Sequence, residues 1–119
     1  MKRIIILICI FELIFSSLLF SQGSFSVINI EPSIIFTPNG DNHNDEIILY
    51  YENPYSSPIA GRIYDLFGRF VNDLDKNEEE ECLIWDGKDI NGRKVNAGIY
   101  IYQIECGNKI VKGFVIVAR

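Results

Sequence analysis

From Ser24 onward the chain alternates apolar and polar side chains in short runs, each closed by Gly, Pro, Asn or Asp. A period of two puts successive side chains on opposite faces of an extended backbone, so the pattern predicts strands. Strands are expected at Phe25–Ile30, Ser33–Phe36, Glu46–Glu52, Ile59–Asp65, Arg69–Leu74, Cys82–Trp85, Ile99–Cys106 and Lys109–Ala118. Outside the N-terminal segment no stretch sustains a helical period. Asp65-Leu66-Phe67-Gly68 closes a hairpin, and Gly107-Asn108 joins the last two strands. Asn53-Pro54 and Ser57-Pro58 interrupt pairing and mark a loop between sheets or an edge. Gly87, Gly92 and Gly98 follow Asp86, Asn91 and Ala97, where the backbone is expected to need positive φ. Short strands at this spacing predict an all-β sandwich or barrel.

The same parity predicts a core. Val111, Gly113, Val115 and Val117 share one face of the last strand, and Ile110, Phe114 and Ile116 share the other. That strand is therefore expected to be buried on both sides. Tyr100 and Tyr102 lie together on one face of the preceding strand, opposite Ile99 and Ile101. Trp85 is the large residue expected to fill the space between sheets, as core and not as a ligand platform.

The N-terminus obeys a different rule. Met1-Lys2-Arg3 is a short positive segment, Ile4 to Phe20 is almost wholly apolar, and the small residues Ser21 and Gly23 follow. That order predicts a cleaved secretory signal peptide over residues 1–21 and one domain over residues 22–119, with no passenger between them. Ile8 precedes Cys9 where a lipoprotein signal requires a small residue, so lipidation is not expected. The chain carries 11 Lys and Arg against 16 Asp and Glu, a net charge of −5. Cleavage makes it one unit more negative. An acidic domain repels phosphate backbones, which excludes nucleic acid as an expected partner, and membrane insertion is not expected after cleavage. Part of the acidity lies in Asp73–Glu81, read as a solvated loop. Cys82 and Cys106 remain, and two cysteines in an exported chain are candidates for one disulfide.

Candidate chemistry is sparse. Thr37 to Glu46 (TPNGDNHNDE) gathers Asn and carboxylate oxygens of the type calcium prefers. Asn39, Asp41 and Asp45 stand at spacings like positions 1, 3 and 7 of a calcium loop, but His43 and Tyr50 occupy positions 5 and 12. The alternative is an Asx-turn loop whose side chains bond the backbone. Asp86, Asp89 and Asn91 form a weaker candidate that turn chemistry explains equally. His43 is the sole histidine. No motif sets a nucleophile beside it, and phosphate loops and zinc spacings are absent, so an enzyme is not expected.

Four segments carry a resemblance. TPNGDNHNDE resembles the opening of the gliding-motility-associated C-terminal domains, the type B sorting domains of bacterial type IX secretion. IYDLFGRFV is similar to their central hairpin. WDGKDINGRKVNAGIYIYQI and KGFVIVAR resemble their W-D-G … G-x-Y-x-Y … G-x-V-x-x-x-R ending, a closing pattern shared with the Ig-like domain of the flagellar hook-capping protein. Asn42-His43 departs from the glycine and apolar residue usual in the family. The resemblance spans Ser33 to Arg119 and implies an antiparallel Ig-like or fibronectin type III-like sandwich of about seven strands. It further implies export to the cell surface or beyond and recognition by protein partners of the secretion machinery. Two other readings follow from the same residues: a structural subunit of a surface filament, hook or adhesin, and a calcium-dependent binding module.

Overall fold

The computed structural model describes residues 24–119. The expected signal peptide lies outside them. Nine strands form two sheets: β1 Ser26–Glu31, β2 Ile35–Phe36, β3 Ile47–Glu52, β4 Ile59–Tyr64, β5 Phe70–Asp73, β6 Asp75–Asn77, β7 Cys82–Trp85, β8 Gly98–Cys106 and β9 Lys109–Val117. One sheet has the order β1-β3-β7-β6 and the other β2-β9-β8-β4-β5. Every pairing is antiparallel except β2 with β9, so the second sheet is mixed. This is the Ig-like sandwich that the sequence pattern and the resemblance implied, with nine strands in place of about seven.

Alternation builds the core. On β3, Ile47, Leu49 and Tyr51 are buried while Ile48 and Tyr50 are half-buried on the outer face. On β8, Tyr100, Tyr102, Ile104 and Cys106 point inward. Trp85 is 1% exposed between the sheets, its ring 5.6 Å from Phe36 and 5.3 Å edge-on from Tyr100. Burying such an aromatic removes a large apolar area from water, and edge-on geometry sets the positive ring edge against a negative face.

Two expectations fail for a common reason, which is that side-chain polarity does not report backbone pairing. The acidic run read as a loop contains β6, where Asp75, Lys76 and Asn77 pair with Ile84, Leu83 and Cys82. Its charges face solvent while its backbone closes the sheet. The switch between sheets falls at buried Leu74, whose N–H donates to the Gly61 carbonyl at 2.9 Å. A Cβ on Gly61 would stand 2.7 Å from Leu74 Cδ1, so glycine makes room for that crossing. Conversely β9 is not buried on both sides. Its inner residues Val115 and Val117 are buried, but Ile110 and Phe114 are 55% and 50% exposed on the outer face, where no described residue covers them.

Candidate functional site

The four segments that carry the family resemblance meet at one end of the sandwich. Loop 37–46 enters β3, the Asp65–Arg69 turn joins β4 to β5, loop 86–97 leads into β8, and the chain ends there at Arg119. The register enforces this: Ile47 stands opposite Trp85, Tyr64 opposite Ile101, and Gly98 opposite Val117.

Each loop is organised by one Asp or Asn that accepts backbone N–H groups. Asp45 Oδ1 accepts from the N–H of Asn39 at 3.0 Å and of Gly40 at 2.9 Å, and Oδ2 accepts from Asn42 at 2.8 Å. Asn39 Oδ1 accepts from Asp41 N–H and Asp41 Oδ1 from His43 N–H. Partial desolvation pushes the Asp45 carboxyl up, but the N–H groups of Gly40, Asn42, Asn39 and Asp41 outweigh it and hold the pKa below the usual carboxylate range. The three residues read as calcium-loop positions are thus brought together, with their oxygens turned onto the backbone. Among the described residues no three His, Cys, Asp or Glu side chains cluster as metal ligands would.

Loop 86–97 repeats the device. Asp89 Oδ1 accepts from Asn91 and Arg93 N–H, both at 2.9 Å, and Gly92 N–H returns to the Asp89 carbonyl. The β4–β5 turn is built identically: Asp65 Oδ1 accepts from Phe67 and Arg69 N–H at 2.9 Å, and Gly68 N–H returns to Asp65. The sequence shows the repeat as Asp-Leu-Phe-Gly-Arg and Asp-Ile-Asn-Gly-Arg, a signal that its reading as separate turns missed. Burial raises Asp65, and bonds from the Arg69 backbone and guanidinium together with Phe67 N–H more than reverse it, leaving the carboxyl depressed.

The loops are clipped to one another and to the core. Trp85 Nε1 and Asn72 Nδ2 both donate to the Lys88 carbonyl, at 2.8 and 2.9 Å. Ile90 N–H reaches Val71 O at 2.8 Å, and Tyr100 hydroxyl donates to Asn96 O at 2.7 Å. Gly87, at φ 77°, lies under Pro38, whose Cγ would be 2.8 Å from any Cβ there. Arg119 Nε donates to Val95 O at 2.9 Å and its Nη1 to Pro38 O at 3.0 Å, joining the chain end to both long loops. Gly92 closes the second Asp turn and Gly98 opens β8. Arg119 is the arginine that closes the G-x-V-x-x-x-R ending, though the sequence did not show what it holds; Asn72 was not singled out, because a lone amide carries no local pattern. Between the loops lies a shallow cavity of about 280 Å³ lined by Asp45, Glu46, Asp86, Lys88 and Lys94, a surface of mixed charge.

The remaining candidates lie elsewhere. Gly113 sits opposite Tyr102 on β9, and a Cβ there would overlap the Tyr102 hydroxyl and ring. Cys82 and Cys106 are both buried and free, so the candidate bridge is not formed. Parity separates them. Leu83 and Trp85 fill the core from β7, so Cys82 faces the other side of that sheet, opposite Tyr50 and Asn77, while Cys106 belongs to the core. Thiols on opposite faces cannot reach disulfide distance. Cys106 Sγ instead donates a weak hydrogen bond to Asn53 Oδ1 at 3.5 Å.

Fold and loop end together define a small Ig-like sandwich module whose distinctive surface is a set of Asx-locked turns at one end. Residues 29–117 match the family described as the CHU_C type IX secretion signal domain, and the chain belongs to that family. Two solved structures from Porphyromonas gingivalis share the fold. One is PorZ, an essential bacterial surface component of the type IX secretion system, with TM-score 0.55 and 16% identity over 76% of this chain. The other is dimeric latent PorU, with TM-score 0.51 and 20% identity over 79% of this chain. This chain spans only 11% and 9% of those proteins. No curated protein sequence matches it.

Proposed function

We propose that this domain is a non-enzymatic address: it is exported across the inner membrane by a Sec-type signal and then recognised, as a folded sandwich, by protein components of the type IX machinery at the cell envelope. Membership of the secretion signal domain family carries the reading. The loop end supports it in two ways. The carboxylates of Asp45, Asp65 and Asp89 are spent on backbone N–H groups, which suits a fixed shape better than proton transfer. Its loops are clipped together by Arg119 and Asn72, so a partner meets a surface that is already ordered and loses little entropy in binding it.

The test is a fusion. A periplasmic reporter carrying residues 24–119 at its C-terminus is produced in a bacterium with a type IX system, and the reporter is measured in periplasm, on the surface and in the medium. Surface or medium localisation that disappears in a type IX-deficient strain is expected. A reporter retained in the periplasm of the competent strain, although folded and stable, refutes the proposal.

A further inference from the structure

A sheet edge with free N–H and C=O groups invites another strand, and folded proteins shorten, bulge or cover such edges. Three of the four edges here are managed. β1 is bulged between Val27 and Asn29. β5 is covered by loop 86–97 through Ile90 N–H and the Asn72 amide. β6 is three residues long. The fourth edge is capped by β2, which pairs only with Ile116 and Val117 and leaves the rest of the nine-residue β9 open among the described residues.

The open positions can be named. Ile116 and Ala118 donate toward the β2 side, to Ile34 O and Phe36 O, and β9 has no bulge against β8. By alternation the N–H and C=O of Ile110, Lys112 and Phe114 point out of the edge. The side chains of these residues also lie on the exposed outer face, where the register lines up rows across the sheet. Phe114 stands in line with Ile101, Tyr64 and Phe70, an apolar row that ends at the edge. Lys112 stands in line with Gln103, Arg62 and Asp73, a polar row. An added strand continues both.

Charge decides the occupant. If a second copy paired antiparallel through these groups, the register bonding all three positions would set Lys112 against Lys112, a like-charge pair that opposes it. We propose that β9 takes up an extended segment of a different protein, bearing an acidic residue opposite Lys112 and apolar side chains two positions to either side, opposite Ile110 and Phe114. Main-chain bonds hold the segment, and the three side chains select it. This site lies on the side of the sandwich, apart from the loop end, and does not depend on the export reading; peptide binding and reporter export can fail separately.

The experiment uses the protein comprising residues 24–119 and a threonine-rich synthetic peptide with valine, glutamate and valine at alternate positions. Amide exchange at Ile110, Lys112 and Phe114 should slow on adding peptide, while the β8 amides stay unchanged. Lys112→Glu should weaken this peptide about tenfold and favour one with lysine in the central position by a similar factor, as expected when a cross-strand pair turns from attractive to repulsive. Lys112→Pro removes an outward N–H without touching the β8 ladder and should abolish binding of both peptides. Unchanged exchange at the three amides, equal affinity of Lys112→Glu for both peptides, or concentration-dependent self-pairing through β9 would each overturn the proposal.

Discussion

Gly113→Ala separates two accounts of one residue by the sign of the effect. Gly113 sits in the middle of β9, and by backbone entropy alone alanine at an interior strand position should stabilise the fold by about 0.5–1 kcal/mol. The structure predicts the reverse. The Tyr102 ring, itself buried, lies across Gly113, and a Cβ would enter the space of its hydroxyl and ring carbons. Overpacking of this kind costs about 1–3 kcal/mol as the ring leaves its rotamer or the strands part. Set against the entropic gain, the net loss is centred at about 1 kcal/mol. Urea unfolding followed by Trp85 fluorescence measures it, with an unchanged slope showing that the loss belongs to the folded state. In a Tyr102→Ala background the obstacle is gone, and Gly113→Ala should become neutral or stabilising, giving a coupling within about 0.5–3 kcal/mol. A single variant as stable as wild type, or more so, would refute the packing argument.

Two further outcomes follow from the core and the loop. Trp85→Ala should lose about 3–5 kcal/mol in the same assay, and Trp85→Phe less, about 0.5–1.5 kcal/mol for the lost indole hydrogen bond, since Asn72 still donates to the Lys88 carbonyl; a melting temperature within two degrees or so of wild type for the alanine variant would place the ring outside the core. The depressed pKa of Asp45 means that the folded state releases its proton more readily, so its contribution is present above the ordinary value of 3.8 and is lost as pH falls through the lower folded value. The stability difference between wild type and Asp45→Asn should therefore be full at neutral pH and shrink in acid, and calcium and chelator should give equal midpoints; a calcium-dependent rise that Asp41→Ala removes would instead show a cation site.

The legible part of this fold was the part written in side-chain parity. β3 and β8 alternate cleanly in burial, so Tyr100 and Tyr102 could be placed together on one face from residue order alone, while Trp85 was placed in the core by its size. Pairing that involves only the backbone left no such trace. β6 is Asp-Lys-Asn, with a fringe of charge that resembles any solvated loop, whereas β2, expected over Ser33–Phe36, forms at its last two residues, Ile35–Phe36. The outer face of β9 misled in the opposite direction, because Ile110, Phe114 and Ile116 carry the composition of a buried face, yet Ile116 is only half-buried beside β2 and nothing in the described chain covers Ile110 and Phe114. The cysteines show parity used too loosely. Both lie near strand ends, as expected, but one position decides the face: Cys82 precedes core-facing Leu83, and Cys106 follows core-facing Ile104 by two.

The repeated Asp-x-x-Gly-Arg turn shows where explanation from within the fold stops. Asp65 and Asp89 are required as acceptors for two N–H groups each, and Gly68 and Gly92 sit at φ 81°, a conformation costly to any side chain. Arg69 closes one turn with a 2.7 Å bond to Asp65 and lies over the Phe67 ring. The side chains at the two positions between Asp and Gly take no part in these hydrogen bonds. A turn of this kind accepts polar residues there, and Asn91 fills one of them. Yet Leu66, Phe67 and Ile90 are apolar and stand 60%, 85% and 58% exposed. Apolar side chains held out by rigid turns contribute nothing to the core and are hydrated at a free-energy cost. Phe67 carries the Arg69 guanidinium 5.2 Å above its ring, while Leu66 and Ile90 stand clear of the core at the corner where both turns lie beside β5.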